Sequence, residues 1–196
     1  VCPTVTSAMI IGGDEFRFQN DKRPHLAVVI AEDEYRTNET LLPFVTQTLG
    51  KKFRTTILHG SKTERNNIPN LHLIDDADVF LHSVRPQAME RLGFGHDAVL
   101  ARNPRIIYAG IHGFRMDGPY AGRPAYDDVI QGLSGSADLM ARLVGEPRYM
   151  PTIMADKTCG LVTVNAVLAA LLERGKSGKG QFVEIPMFET MVAFNM

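Results

Sequence analysis

His25–Ala31, HLAVVIA, is a continuous apolar run rich in branched side chains. A strand with one wet face alternates apolar and polar residues, whereas an unbroken run belongs to a strand covered on both faces. The run ends in a polar loop, Glu32–Asn38. Beyond it Glu39–Leu49 has helical spacing, with Leu42, Val45 and Leu49 on one stripe. Gly50 stands where a helix C-cap glycine belongs, and Phe53–Leu58 reads as a second strand. Asn66–Leu73 is irregular or a short helix. Val79–Val84 (VFLHSV) is a third strand, and Pro86 opens a short helix through Arg91, because proline suits the first helical turn. Asp97–Arg102 adds a turn or two, and Arg105–Phe114 (RIIYAGIHGF) is a fourth strand. Residues 115–124 are loop, dense in glycine and proline. Tyr126–Leu143 is helical in part, with a break near Gly132–Gly135. The clearest helix is Thr158–Arg174, where Leu161, Val164, Leu168, Leu171 and Leu172 recur at three- and four-residue steps. Lys176–Gly180 ends it, and Gln181–Ile185 closes as a strand.

Strands alternating with helices predict an α/β fold: a mostly parallel, doubly wound sheet of Rossmann-like or flavodoxin-like type, with ligands beyond the carboxyl ends of the strands. The 196 residues suffice for one sizeable domain, or for two small ones sharing a sheet. Net charge is −1 and no basic block occurs, which argues against nucleic acid or a membrane surface as partner. Two cysteines, Cys2 and Cys159, form neither a disulfide framework nor a metal-binding spacing, so a reducing, cytoplasmic setting is expected. No continuous apolar run is long enough to span a bilayer. Val1–Gly13 lacks the charged region of a processed leader and reads as an arbitrary start.

Several phrases belong together: ADVFLHSVRP at 77–86, MERLG at 89–93, NPRIIY at 103–108, GPYAGRPAYD at 118–127, ADKTCGL at 155–161, LAALLER at 168–174 and GKGQFVE at 178–184. In that order and spacing they resemble the class III CoA-transferases, the family of formyl-CoA and carnitine CoA-transferases and of the α-methylacyl-CoA racemases. The resemblance covers about residues 75–196. The segment before it, 1–74, resembles ThuA-like (trehalose-utilisation) proteins instead, through PHLAVVIAEDEYRTN at 24–38, LGKKFR at 49–54 and RNNIPNL at 65–71. The expected organisation is therefore a ThuA-like α/β segment, 1–74, joined to part of a CoA-transferase large domain, 75–196.

Asp156 is the first candidate for chemistry. Just before the strongest helix, it meets unpaired backbone N–H groups and the positive helix end, which would favour its ionised form. By pattern alone it is a helix cap. The resemblance makes it the nucleophilic carboxylate that attacks an acyl-CoA thioester and passes through anhydride and aspartyl-CoA intermediates. Tyr126 and Asp127 follow as substrate-binding candidates. The racemase branch has a histidine where Tyr126 stands, and a phenol is a poor base at neutral pH, so racemisation is the weaker reading. His82, Arg85 and Arg91 follow the third strand, in a segment where the family places CoA contacts. Arginine suits a diphosphate, but Ser83 and Val84 replace the family's common asparagine and aromatic. Glu32, Asp33 and Glu34 form an acidic knot, more simply a solvated loop than a cation site. Cys159 is expected to be a small buried core residue.

The resemblance implies transfer of CoA between an acyl-CoA and a carboxylic acid, with no tightly bound cofactor and no metal. A non-catalytic α/β module is the rival. It also implies a homo-oligomer, and a chain that lacks the family's second domain and is weak alone, with apolar surface exposed along Val164–Leu172 and Met187–Met196.

Overall fold

The structure is a computed structural model that describes residues 22–30, 37–59, 72 and 75–196. The acidic knot at 32–34, Cys2 and most of the 66–73 segment lie outside the described residues, as do parts of the ThuA-like phrases. The chain divides into two compact units, Val1–Asp78 and Val79–Met196.

In the first unit β1 (His25–Ile30) pairs in parallel with β2 (Arg54–His59), Ala27 opposite Thr56. Between them α1 (Thr37–Pro43) runs into a wider turn, Phe44–Thr48, and a tight one, Leu49–Lys51. Pro43 has no N–H to give to the preceding turn, and the change of helical pitch follows it. The expected stripe is present: Val45 and Ile57 are buried, with Leu42, Leu49 and Val28 packed around them. Gly50, expected as a helix C-cap, is instead a buried residue of the tight turn. His25 is fully engaged, one ring nitrogen 2.8 Å from Asp76 Oδ1 and the other 2.9 Å from Thr56 Oγ1.

The second unit is a three-stranded sheet in the order β3 (Val79–His82), β4 (Ile107–His112), β5 (Gln181–Pro186), all parallel. Among the described residues the strands pair as one two-stranded and one three-stranded set. Between β3 and β4 lie α2 (Pro86–Arg91) and α3 (His96–Arg102). Three helices follow β4: α4 (Asp127–Leu133), α5 (Ser136–Val144) and α6 (Met154–Ser177). The last, α7 (Met187–Asn195), follows β5 and is missing from the sequence expectation. Alternation sends successive β4 side chains to opposite faces. Ala109 and Ile111 meet Ile130, Cys159, Met187 and Met191 of the helices that follow, while Tyr108 and His112 meet the β3 histidine and α3. Both faces of the sheet are therefore covered. Burying a large apolar side chain such as Ile107, Ile130 or Met191 stabilises the fold by about 1.5–3 kcal/mol each.

The sequence places the strands correctly but overruns the ends of β3 and β4, and stops one residue short of the ends of β2 and β5. β3 stops at His82 rather than Val84, and the chain turns there so that the Val84 carbonyl meets the His82 ring. The break expected near Gly132–Gly135 falls at Gly135, whose φ of +87° leaves α4 and starts α5. α6 begins well before Thr158, at Met154, so it carries Asp156 inside its first turn. At 24 residues α6 is also long and apolar enough to cross a bilayer by length and composition, which the short continuous runs do not suggest. Ala155, Cys159, Thr163 and Ala170 nevertheless turn inward from it, the pattern of a helix laid on a sheet.

Candidate active site

The loop after β4 and the start of α6 build the site. Gly113 opens that loop, and a Cβ there would stand 2.6 Å from the Ala125 side chain, so the two ends of the loop touch only because residue 113 is glycine. The loop is tied to the neighbouring elements. Gly113 O accepts the Phe188 N–H at 3.0 Å, and Glu184 Oε1 accepts the Met116 N–H at 2.6 Å. The loop ends at Tyr126, which is 66% exposed and whose carbonyl accepts the Ile130 N–H.

Asp127 is the first residue of α4. Its Oδ1 accepts the backbone N–H of Asp156 at 2.9 Å, so a side chain from α4 caps the first turn of α6. Asp156 is thus not itself the cap expected from the sequence. Its acidity is also the reverse of that expectation: desolvation and then the Asp127 carboxylate raise its pKa above the ordinary carboxylate value. Asp127 is remote from Asp156 along the chain, and nothing in the local pattern announces their contact. One turn further along α6, burial and then the Asp156 and Asp127 charges push the Cys159 thiol up to about 11. Cys159 is a buried free thiol whose Sγ lies 3.9 Å from Met187 O, a core residue as expected.

A second group of residues gathers on the other face of the sheet. His82, at the carboxyl end of β3, donates Nδ1–H to Val84 O at 3.1 Å, and its ring centre lies 5.6 Å from that of His112. Burial and then the neighbouring His112 lower the His82 pKa to about 4, and burial lowers that of His112 as well. Both rings are therefore neutral at pH 7 and offer acceptor nitrogens, not the positive charge a diphosphate prefers. His82 Nε2 and His112 Nδ1 are buried without a hydrogen-bond partner. Both residues line a small cleft together with Met89, His96, Tyr108 and Phe182. The Tyr108 hydroxyl donates to Phe94 O at 2.7 Å, and its pKa is raised by burial and then by Glu90. Arg85 and Arg91 stand exposed at the two ends of α2, next to this cleft in sequence but not among its lining residues.

The predicted residues therefore fall in two places. Asp127 and Asp156 share a hydrogen bond, with Tyr126 adjoining; His82, Arg85 and Arg91 frame the β3–α2 end of the sheet. Sequence reading misses His112, which shares a strand face with Gly110, and Gln131, which shares a helix face with Asp127. Among the described residues no three His, Cys, Asp or Glu side chains are placed to hold a metal.

The model of CoA-transferase family III matches residues 31–195. A probable fatty acyl-CoA transferase of Mycobacterium tuberculosis is 37% identical over 149 residues, 76% of this chain and 37% of that protein. A formyl-CoA:oxalate CoA-transferase of Streptomyces avermitilis is 37% identical over 134 residues, 68% of this chain and 32% of the relative. A crystal structure of the mycobacterial protein aligns with a TM-score of 0.68 at 29% identity, over 87% of this chain and 49% of that one. This chain thus spans about a third of the length of these curated relatives. The family match begins well before residue 75, and the ThuA-like reading of the segment 1–74 draws no support from it. The chain belongs to CoA-transferase family III.

Proposed function

We propose that this chain carries the nucleophile of a CoA-transferase that moves CoA between an acyl-CoA and a carboxylic acid. The observation that carries the reading is Asp156 in the first turn of α6, its N–H held by Asp127 and its carboxyl made more basic by burial and by that neighbour. A carboxyl perturbed by desolvation and by a specific charge partner is a functional-site signature.

In the proposed sequence an Asp156 oxygen bonds to the thioester carbonyl carbon, the carbon–sulfur bond breaks, and CoA leaves as thiolate. The thiolate then attacks the Asp156 carbonyl of the mixed anhydride, giving aspartyl-CoA and releasing the first acid. The incoming carboxylate attacks aspartyl-CoA and expels the thiolate again, which finally takes the new acyl group and frees Asp156. Charge is conserved at each step, and no redox partner is needed. Tyr126 and the loop 113–127 would border the acyl group, and His82, Arg85 and Arg91 the CoA. With both histidines neutral, the arginines supply the positive charge for phosphate.

Hydroxylamine added with acyl-CoA tests the reading: it is expected to trap Asp156 and no other carboxylate. Label on Asp127 instead would move the nucleophile. Self-association is part of the proposal, supported by the exposed Leu161, Val164, Leu168 and Leu172 along α6. A reducing, cytoplasmic setting is supported by the buried free thiol of Cys159. A ThuA-like origin of the segment 1–74 rests on sequence phrases alone, and the native reading frame tests it.

A further inference from the structure

Gln131 is 2% exposed, yet it is a primary amide in the middle of α4. Such a group is costly to bury unless its donors and acceptor are matched. Here they are. Nε2 donates to Asp127 Oδ2 at 2.5 Å and to Thr152 O at 3.2 Å, while Oε1 accepts the Met150 N–H at 2.8 Å. Asp127 spends its other oxygen, Oδ1, on the Asp156 N–H. One amide therefore joins α4, the strap at 150–152 and, through Asp127, the first turn of α6.

We propose that Gln131 is the positioning residue of the nucleophile, fixing the Asp127 carboxylate so that it holds the Asp156 backbone in place. The inference rests on the reading of Asp156 given above. The choice of an amide has a physical point. Arginine or lysine at 131 would also orient Asp127, but would cancel the negative charge that acts on Asp156. A neutral donor fixes the carboxylate and leaves its charge intact. Without that donor, Asp127 is free to rotate away from α6. The titratable groups around Asp156 are Asp127 from α4 and, on α6 itself, Cys159 and Lys157, whose Nζ donates to Thr152 Oγ1 at 2.6 Å.

The test uses the full chain carrying ¹³C-labelled aspartate, with Asp156 identified as the signal lost in Asp156→Asn. Gln131→Met keeps the shape and removes the hydrogen bonds; Gln131→Asn keeps an amide but is one methylene shorter, out of reach of Asp127 from the same backbone. Expected are a lower Asp156 titration midpoint in both variants and hydroxylamine trapping slower by about tenfold or more in Gln131→Met. In an Asp127→Asn background, where the charge is already gone, Gln131→Met is expected to shift the midpoint no further; a further fall of the same size there is general loosening of the fold and overturns the proposal. An unchanged midpoint in folded Gln131→Met overturns the proposal. If that variant does not fold, an unchanged midpoint in Gln131→Asn overturns it. Absence of label on wild-type Asp156 defeats the transferase reading instead, and the titration alone then decides the role of Gln131.

Discussion

Asp156 and Asp127 form a pair of like charges across two helix starts, and single substitutions separate their roles. Asp156→Asn is expected to abolish any CoA transfer while the helix remains, because the backbone N–H that Asp127 accepts is untouched; circular dichroism and a transfer assay check both halves. Asp127→Ala removes that acceptor and is expected to cost about 1 kcal/mol, the usual worth of a helix cap, in urea denaturation. The pH dependence has a definite sign. Asp156 binds its proton more tightly folded than unfolded, so stability is fullest below the ordinary carboxylate pKa and falls as pH rises through the raised one. Asp156→Asn should remove that decline. His82 acts oppositely: with a folded pKa of about 4, its contribution is full above about pH 6.5 and is lost as pH falls to 4. His82→Phe should flatten that acid limb. The sequence named Asp127, Asp156 and His82, because motif and strand end mark them. It could not supply the sign of the Asp156 shift, which depends on a partner brought up by the fold. Gln131 was silent for the same reason: a glutamine in a helix carries no signal until its burial is known.

At the scale of elements, two glycines illustrate different demands. Gly135 has φ +87° and open space around its Cβ direction, so Gly135→Ala should cost only the left-handed backbone penalty, about 1–2 kcal/mol. Gly180 leads into β5; a Cβ there would overlap the Ile106 carbonyl, and its N–H donates to Pro104 O. Gly180→Ala must push β5 from β4 and should cost more than Gly135→Ala in the same denaturation series. The five strands among the described residues and most of the helices there were legible because period and length agree: HLAVVIA and RIIYAGIHGF are too short and too continuous for surface helices. α7 was not, since Met187–Asn195 is apolar with little periodicity. Its Met191 is fully buried and its Asn195 reaches the Ser134 carbonyl and the Ser136 hydroxyl at 3.0 and 2.8 Å, contacts only the fold reveals.

For the whole molecule the dominant feature is apolar surface left on the outer side of α6, where Leu161 is 70% and Leu172 73% exposed. Surface of that kind invites association. The chain is expected to sediment as more than a monomer, and the double substitution Leu161→Lys, Leu172→Lys should shift it toward monomer in analytical ultracentrifugation. The exposed apolar surface expected along Val164–Leu172 is present, with Val164, Leu168 and Leu172 exposed, whereas Met187 and Met191 of the surface expected along Met187–Met196 are buried. The order β3-β4-β5 carries a consequence of another kind, for the nascent chain. Ile107 pairs with Gln181, so the central strand has one lateral partner already synthesised and the other far from translation. At about 5–20 residues per second the ribosome takes on the order of 4–15 s to deliver it. Through that interval one hydrogen-bonding side of β4, with its Ile107, Tyr108 and Ala109, has no strand to receive it. This is the period in which a newborn copy is most open to capture by a neighbouring copy's strand, or to shelter by a chaperone.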